Sequence, residues 1–165
     1  MHCAKPVKKV RDSLFVCADG HENWVNPPVG SIAFILKGRK VFYGIRSREP
    51  GKGKLDPPGG MVEIGDTAEQ TIVRETKEET GLDIEIIQPL GTYATTYLGR
   101  PILDIMFIAK ATSDHVVPGD DMNGGEPVWI DIEELPPVDQ VAVDWIADAQ
   151  KDLLVWWHKN QDKFD

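Results

Sequence analysis

Three glutamates, Glu75, Glu78 and Glu79, fall within a single helical turn of a chain whose formal net charge is −9. At about 100° per residue, the three side chains occupy roughly 100° of the helix surface. Like charges three or four residues apart destabilise a helix. A solvated acidic face is one interpretation of this turn. Hard oxygen ligands for Mg²⁺ or Mn²⁺ are the other, and the residue types alone leave both open.

The residues around these acids follow a longer pattern. Gly60 is followed after five residues by Asp66, and after seven more by the run RETKEETGL, residues 74–82. This arrangement resembles the Nudix box, G-x5-E-x7-R-E-U-x-E-E-x-G-U with U aliphatic, at six of its seven fixed positions. GKGKLDPPGG before the box and EPVWIDIEELP after it resemble the entry loop and closing turn of the same family. Together these segments cover about residues 29–137.

The order of the predicted elements indicates an α/β fold. The Nudix resemblance makes this an α/β/α sandwich with a mixed β-sheet between helices. We assign the Nudix domain to residues 29–165 and an irregular N-terminal segment to residues 1–28. The expected elements are strands at 30–36 and 40–46, a loop at 48–60, a helix ending at 81, strands at 83–98, 100–111 and 127–132, and a helix at 139–159.

The helix that carries the acids has clear boundaries. Asp66 or Thr67 can cap its start, and Gly81 can adopt the left-handed conformation that ends it. Thr76 stands where the family has an aliphatic residue, and we expect its hydroxyl to bond the carbonyl four residues earlier. The predicted inward face consists of Ala68, Ile72, Val73 and Thr76.

The family resemblance also implies a catalytic group. It implies that Glu78 and Glu79 bind Mg²⁺ or Mn²⁺ directly, that the Gly59 carbonyl is a third ligand, and that Glu75 binds metal or activates water. Arg74 is expected to orient Glu75 by pairing with the acid at position 66. That acid is Asp66 rather than glutamate, one methylene shorter, so a weaker or water-bridged pair is expected.

Other residues are candidates for substrate contacts. Arg46 and Arg48 leave the second strand toward the box and could meet phosphate oxygens. Tyr97 could stack on a base, as could Tyr43 and Tyr93, and packing within the sheet is the alternative for each tyrosine. An additional acid is expected from the loop before the closing strand, where each candidate could equally be a solvated loop acid: Asp120, Asp121 and Glu126.

The N-terminal segment LFVCADGHENWVNPP resembles the second half of the zinc ribbon that precedes some Nudix domains. Only one cysteine of that motif is present, and the potential ligands in the whole segment are His2, Cys3, Cys17 and His21. Because adjacent His2 and Cys3 rarely serve one tetrahedral site, zinc is not expected. Trp24 is predicted to anchor the segment by packing.

Composition narrows the class of partner. With 27 Asp and Glu residues against 18 Lys and Arg, the chain would repel a nucleic acid polymer, whereas a small anion accompanied by a divalent cation remains compatible. No segment has the apolar length of a signal peptide or a membrane span. Two cysteines fit a reducing compartment, so a cytoplasmic location is expected. A homodimer is left open.

These observations predict a Mg²⁺-dependent Nudix hydrolase that cleaves the diphosphate linkage of a nucleoside diphosphate derivative, with ADP-ribose or NADH-like compounds favoured. One alternative is a hydrolase of modified nucleoside triphosphates. Another is a Nudix-fold binding domain that senses a nucleotide without cleaving it. The intact set of Arg74, Glu75, Glu78 and Glu79 argues against a sensor, which has no need of every acid.

Overall fold

The computed structural model describes residues 5–163. It contains ten strands and two α-helices, with short 3₁₀ turns at Ile132–Glu134, Val138–Gln140 and Gln161–Lys163. The strands are β1 Val7–Arg11, β2 Leu14–Cys17, β3 Glu22–Trp24, β4 Val29–Lys37, β5 Lys40–Ile45, β6 Leu55–Asp56, β7 Gly59–Met61, β8 Ile84–Tyr97, β9 Arg100–Ala111 and β10 Val128–Asp131. The helices are α1 Ala68–Thr80 and α2 Ile146–Asn160. None of the helices within residues 5–163 is long and apolar enough to cross a membrane.

The main sheet is mixed, as predicted. Its strand order is β10-β5-β4-β9-β8, with β6 paired to β5 and β7 paired to β4. The β4–β9 pair is parallel and the other pairs are antiparallel. Along β4, Ile32 lies opposite Gly59 of β7, and Gly30 lies opposite Asp104 of β9. The central strand β4 therefore joins the loop before the Nudix box to β9.

The sheet is covered on both faces. Side chains of β4 alternate between two cores, with Ala33 and Ile35 on the α1 side and Phe34 and Leu36 on the α2 side. Ile72 of α1 and Phe107 of β9 belong to the first core, and Leu153 and the fully buried Trp157 of α2 belong to the second. The predicted α/β/α sandwich is confirmed.

Local sequence determines both ends of α1. Thr67 is the N-cap and forms a capping box with Gln70, and Gly81 ends the helix at a φ of 73°. The predicted inward face is wrong at Val73, which is exposed because it points about 100° away from the buried Ile72. The Thr76 hydroxyl is buried and has no hydrogen-bond partner within residues 5–163, so the expected bond to the preceding turn is absent. Such a group costs roughly 1–3 kcal/mol.

The second helix begins later than predicted, at Ile146 rather than 139. The Ala142 N–H donates to the Leu55 carbonyl at 2.9 Å, and Val141 forms an isolated parallel bridge with Leu55. These contacts hold the chain in an extended conformation just where the sequence pattern indicates a helix. The segment that leads into α2 is thereby tied to β6, next to the loop before the Nudix box.

Residues 5–28 are more regular than predicted. β1, β2 and β3 form a three-stranded antiparallel sheet. Trp24 does not anchor it by burial, because its side chain is 46% exposed. The Arg11 guanidinium lies 4.5 Å from the centre of the Trp24 ring, and the Trp24 Nε1–H donates to Glu22.

The predicted loop at 48–60 is also partly wrong, since it contains β6 and the start of β7.

The capping box predicts a measurable contribution of Thr67. Thr67→Ala removes the oxygen that accepts the Gln70 N–H, so the free energy of unfolding should fall by about 1 kcal/mol in urea denaturation. Thr67→Ser keeps that oxygen and is the matched control. An equal loss in both variants would show that the cap is not the source of stability.

Candidate active site

Two glycines allow the box glutamates to approach β7. A Cβ on Gly60 would lie 2.2 Å from the Glu75 carboxyl carbon, and a Cβ on Gly59 would lie 2.6 Å from the Ser31 carbonyl oxygen. Real Cβ contacts do not occur at such distances, so only glycine fits at position 59 against the backbone, and a side chain at position 60 would displace the Glu75 carboxylate. The Gly59 N–H donates to the Glu79 carboxylate at 2.9 Å. The Gly59–Gly60 segment therefore lies directly against α1 at Glu75 and Glu79, which are about one helical turn apart.

Glu79 is the most electrostatically unusual of these acids. It is 9% exposed, and burial raises the pKa of its carboxyl to about 8, against the opposing effect of the Gly59 N–H. The negative charges of Asp56, Glu75 and Asp121 raise it further. Negative charge is therefore concentrated around Glu79, and no described Lys or Arg side chain pairs with Glu79 itself.

A pocket of about 340 Å³ opens beside Glu79. One part of it is acidic and contains Asp56, Glu75, Glu79 and Asp121. Another part is mostly apolar and includes Thr95, Tyr97, Ile102, Asp104, Val143 and Trp145. A charged region that adjoins an apolar and aromatic one suits a ligand with an ionic group attached to a ring system.

Arg74 divides its contacts among three acids. It donates to Glu75 at 2.7 Å and to Glu78 at 3.3 Å, while its Nε lies 3.8 Å from the Asp66 carboxylate. The last distance exceeds that of a hydrogen bond. The expected weak pair with Asp66 is what the geometry shows, and Glu75 is held directly by Arg74 instead.

The structure separates the two neighbouring glutamates of the box. The Glu78 side chain is 59% exposed, contacts Arg74, and does not line the pocket. Among the loop candidates, Asp121 lines the pocket and accepts a hydrogen bond from Arg48, whereas Asp120 and Glu126 are exposed and lie outside the pocket lining. The role of Glu78 as a metal ligand stays a prediction.

Arg46 lines the pocket with two protein partners. It donates from Nη1 to Asp56 and from Nη2 to the Tyr97 hydroxyl, both at 2.7 Å. Its Nε is buried and has no hydrogen-bond partner among the described residues. The arginine predicted to contact phosphate therefore fixes Asp56 and Tyr97 at the pocket wall, and burial raises the pKa of Asp56 to about 6 despite this ion pair.

The other tyrosines, Tyr43 and Tyr93, are not themselves part of the pocket lining. Tyr43 is fully buried and accepts a hydrogen bond from Gln150 at 2.9 Å, so the sheet-packing alternative is correct for it. Tyr93 stacks on Trp145, with ring centres 5.4 Å apart, and donates to Asp152 at 2.7 Å. Of the three tyrosines, Tyr97 alone lines the pocket.

Two pocket acids were missed by sequence reasoning. Asp56 directly precedes the PPGG run, so its position beside the site follows from the entry loop once that loop is recognised. Asp104 is the single charged residue in the apolar run ILDIMFIA of β9. A carboxylate inside a buried strand is itself a signal of a site, because it needs a partner or a ligand.

Comparison with known proteins now decides the family. The sequence matches the family model described as NUDIX domain over residues 26–153. The chain belongs to the Nudix family. It is a Nudix hydrolase, a pyrophosphatase, and the family's substrates are nucleoside diphosphate derivatives.

Among its relatives is the ADP-ribose pyrophosphatase of Methanocaldococcus jannaschii, 34% identical over 115 residues that cover 68% of this chain and 67% of the relative. The oxidized purine nucleoside triphosphate hydrolase of Danio rerio is 30% identical over 108 residues, covering 64% and 67% of the two chains. A crystal structure of a NUDIX hydrolase from Nitrosomonas europaea has a TM-score of 0.76 and 24% identity, over 96% of this chain and 91% of that one. That likeness confirms the Nudix fold.

The donor set suits a hard divalent cation. Nudix enzymes are typically dependent on a divalent metal. The pocket acids offer only oxygen ligands. The buried Glu79 lies near the carboxylates of Asp56, Glu75 and Asp121, and none of the described Lys or Arg side chains pairs with it. Mg²⁺ and Mn²⁺ prefer such ligands. Glu75, Glu79 and the Gly59 carbonyl are the groups at the pocket that would hold one, and Glu78 stays a predicted fourth ligand.

The N-terminal segment of this Nudix protein gains no support as a zinc ribbon, since the family match begins at residue 26. His2 and Cys3 lie outside the described residues. Cys17 and His21 do come together, with Sγ and Nδ1 3.5 Å apart, and Asp19 offers a third ligand atom within 4.8 Å of both. The division at residue 28 stays a prediction.

The Arg46–Asp56 pair predicts a double-mutant effect. Arg46→Gln leaves Asp56 buried without its ion partner and should lower the free energy of unfolding by about 3 kcal/mol. Adding Asp56→Asn removes the orphaned charge and should restore part of that loss. Chemical denaturation of the four proteins measures the coupling. Strictly additive losses would contradict this account of the pair.

Proposed function

We propose that this Nudix hydrolase uses Mg²⁺ or Mn²⁺ to cleave the diphosphate linkage of a nucleoside diphosphate derivative, with ADP-ribose or NADH-like compounds favoured. The observation that carries the proposal is the buried Glu79, surrounded by Asp56, Glu75 and Asp121 at the acidic part of a pocket that continues into apolar and aromatic side chains. The acidic part would take the diphosphate together with its cation. The apolar part would take the nucleoside.

Each group in the acidic part has a distinct proposed role. When bound, the cation would neutralise phosphoryl oxygens and make an attacking water more acidic. The Glu79 carboxylate, which is oriented by its hydrogen bond from the Gly59 N–H, would bind this cation. Arg74 donates to one oxygen of Glu75, which leaves the other oxygen to orient water and accept its proton. Arg48 extends from the rim beside Asp121, where it could meet a phosphate.

The preferred substrate is supported by the relative named ADP-ribose pyrophosphatase, which has the higher identity of the two relatives described above. The relative named oxidized purine nucleoside triphosphate hydrolase supports a second candidate, hydrolysis of modified nucleoside triphosphates. A nucleotide sensor would not need the concentrated charge around Glu79. We expect a cytoplasmic enzyme of small nucleotides rather than of nucleic acid polymers, and a homodimer stays open.

Glu79→Gln tests the proposed chemistry. The variant keeps the side-chain shape and loses the anionic ligand, so turnover should fall by about 100- to 1000-fold. Mononucleotide or phosphate release is measured with ADP-ribose, NADH, nucleoside triphosphates and diadenosine polyphosphates, each with Mg²⁺ and with Mn²⁺.

The matched control is Glu69→Gln, which neutralises an exposed acid on the first turn of the same helix. It should leave turnover unchanged. The thermal midpoint of Glu79→Gln should equal or exceed that of the wild type, because the variant removes a buried ionisable carboxyl from beside other acids. Undiminished turnover in Glu79→Gln would reject the assignment.

A further inference from the structure

Asp104 is a buried carboxylate that the proposed chemistry does not use. It is 4% exposed, lies in β9, and lines the pocket together with Ile102, and its charge is not among those that act on Glu79. Within residues 5–163 it has neither a hydrogen-bond partner nor an ion pair. A buried acid without a partner is costly, and burial accordingly raises its pKa to about 6.

The neighbouring strand is shaped to accommodate this carboxylate. Gly30 lies opposite Asp104 in the parallel β4–β9 pair. A Cβ at Gly30 would lie 2.1 Å from the Asp104 Oδ1, so the acid occupies space that any other residue at position 30 would fill. The side chain is thus held at the pocket wall by the backbone of two central strands, a rigid support for reading a ligand.

Register places Asp104 away from the diphosphate end. Gly59 pairs with Ile32 on one side of β4, and Asp104 pairs with Gly30 on the other side. Two strand spacings of about 5 Å and two residues of about 3.3 Å therefore separate Gly59 from Asp104. That span is too long for both to serve one cation, yet both positions line the same pocket.

We propose that Asp104 selects the nucleoside part of the substrate, with its carboxylate accepting hydrogen bonds from N–H or O–H donors of that nucleoside. The inference rests on the proposed function. The apolar side chains of Ile102, Val143 and Trp145 line the same pocket, and such surroundings strengthen a hydrogen bond to a carboxylate. Amino and imino groups of a purine and the hydroxyls of ribose share the chemistry that this acid would recognise.

The test removes donors from the substrate and replaces the carboxylate acceptor of the protein with a neutral amide, which has one acceptor oxygen instead of two. Values of kcat and KM are measured for wild type and Asp104→Asn on ADP-ribose, on its analogues lacking the adenine amino group or the adenosine 2′-hydroxyl, and on the guanine and hypoxanthine counterparts. Asp104→Asn should lower kcat/KM by roughly 10- to 100-fold, mainly through KM, for substrates that carry the recognised donor.

An analogue that lacks that donor should be poor for the wild type and no worse for Asp104→Asn. The base analogues and the 2′-deoxy analogue distinguish the two sources of the donor. Asp114→Asn neutralises an exposed acid that pairs with Lys37 outside the pocket lining, and should change neither constant. The inference is overturned if every donor deletion is equally harmful in wild type and Asp104→Asn, or if kcat alone falls by the same factor for all substrates.

If the wild type cleaves none of these compounds, the proposed function fails, and a binding measurement then decides the inference separately. Calorimetric titration of AMP and of GMP should give at least about tenfold weaker binding to Asp104→Asn for one nucleotide if the donor is on the base, and for both if it is a ribose hydroxyl. Equal affinity of both proteins for both nucleotides would overturn the inference.

Discussion

The hydrogen bond from the Gly59 N–H to the Glu79 carboxylate joins the entry loop to the helix that carries the acids. This contact depends on two glycines of the loop. Gly59 lies against the backbone of β4, and Gly60 lies against the Glu75 carboxylate. Glu79 is buried there beside other acids, and burial raises its pKa although the Gly59 N–H lowers it. The contact that joins the loop to the helix thus also places Glu79 among other carboxylates. A divalent cation would offset the repulsion between these acids.

The surrounding cations are arranged so that this charge is not cancelled within the protein. Arg46 is bound to Asp56 and Tyr97, and Arg74 is bound to Glu75 and Glu78. Neither arginine donates to Glu79 in the described part of the chain. The same contacts fix the pocket wall and the orientation of Glu75, so the arginines position the other acids and do not neutralise Glu79. This division explains how an acidic pocket can receive an anionic substrate.

Part of the fold and of the candidate site is predictable from local sequence signals. The ends of α1 follow from Thr67 and Gly81, and the Nudix box places Glu75 and Glu79 on one helix face. Spacing alone could not separate buried Glu79 from exposed Glu78, because both lie about one turn from Glu75 and the position of Gly59 and Gly60 decides which is covered. The start of α2 depends on a bond to Leu55, and the place of Asp104 depends on the β4–β9 register. Both are contacts between distant segments, which periodicity does not record.

The central claim is that the acids around Glu79 are held together to bind a divalent cation. Isothermal titration of Mn²⁺ into the protein, in the presence of a non-hydrolysable α,β-methylene ADP, tests it most directly. We expect saturable Mn²⁺ binding to the wild type, weakened at least about tenfold when Glu79 is replaced by Gln. Absence of Mn²⁺ uptake by the wild type, or equal uptake by both proteins, would contradict it.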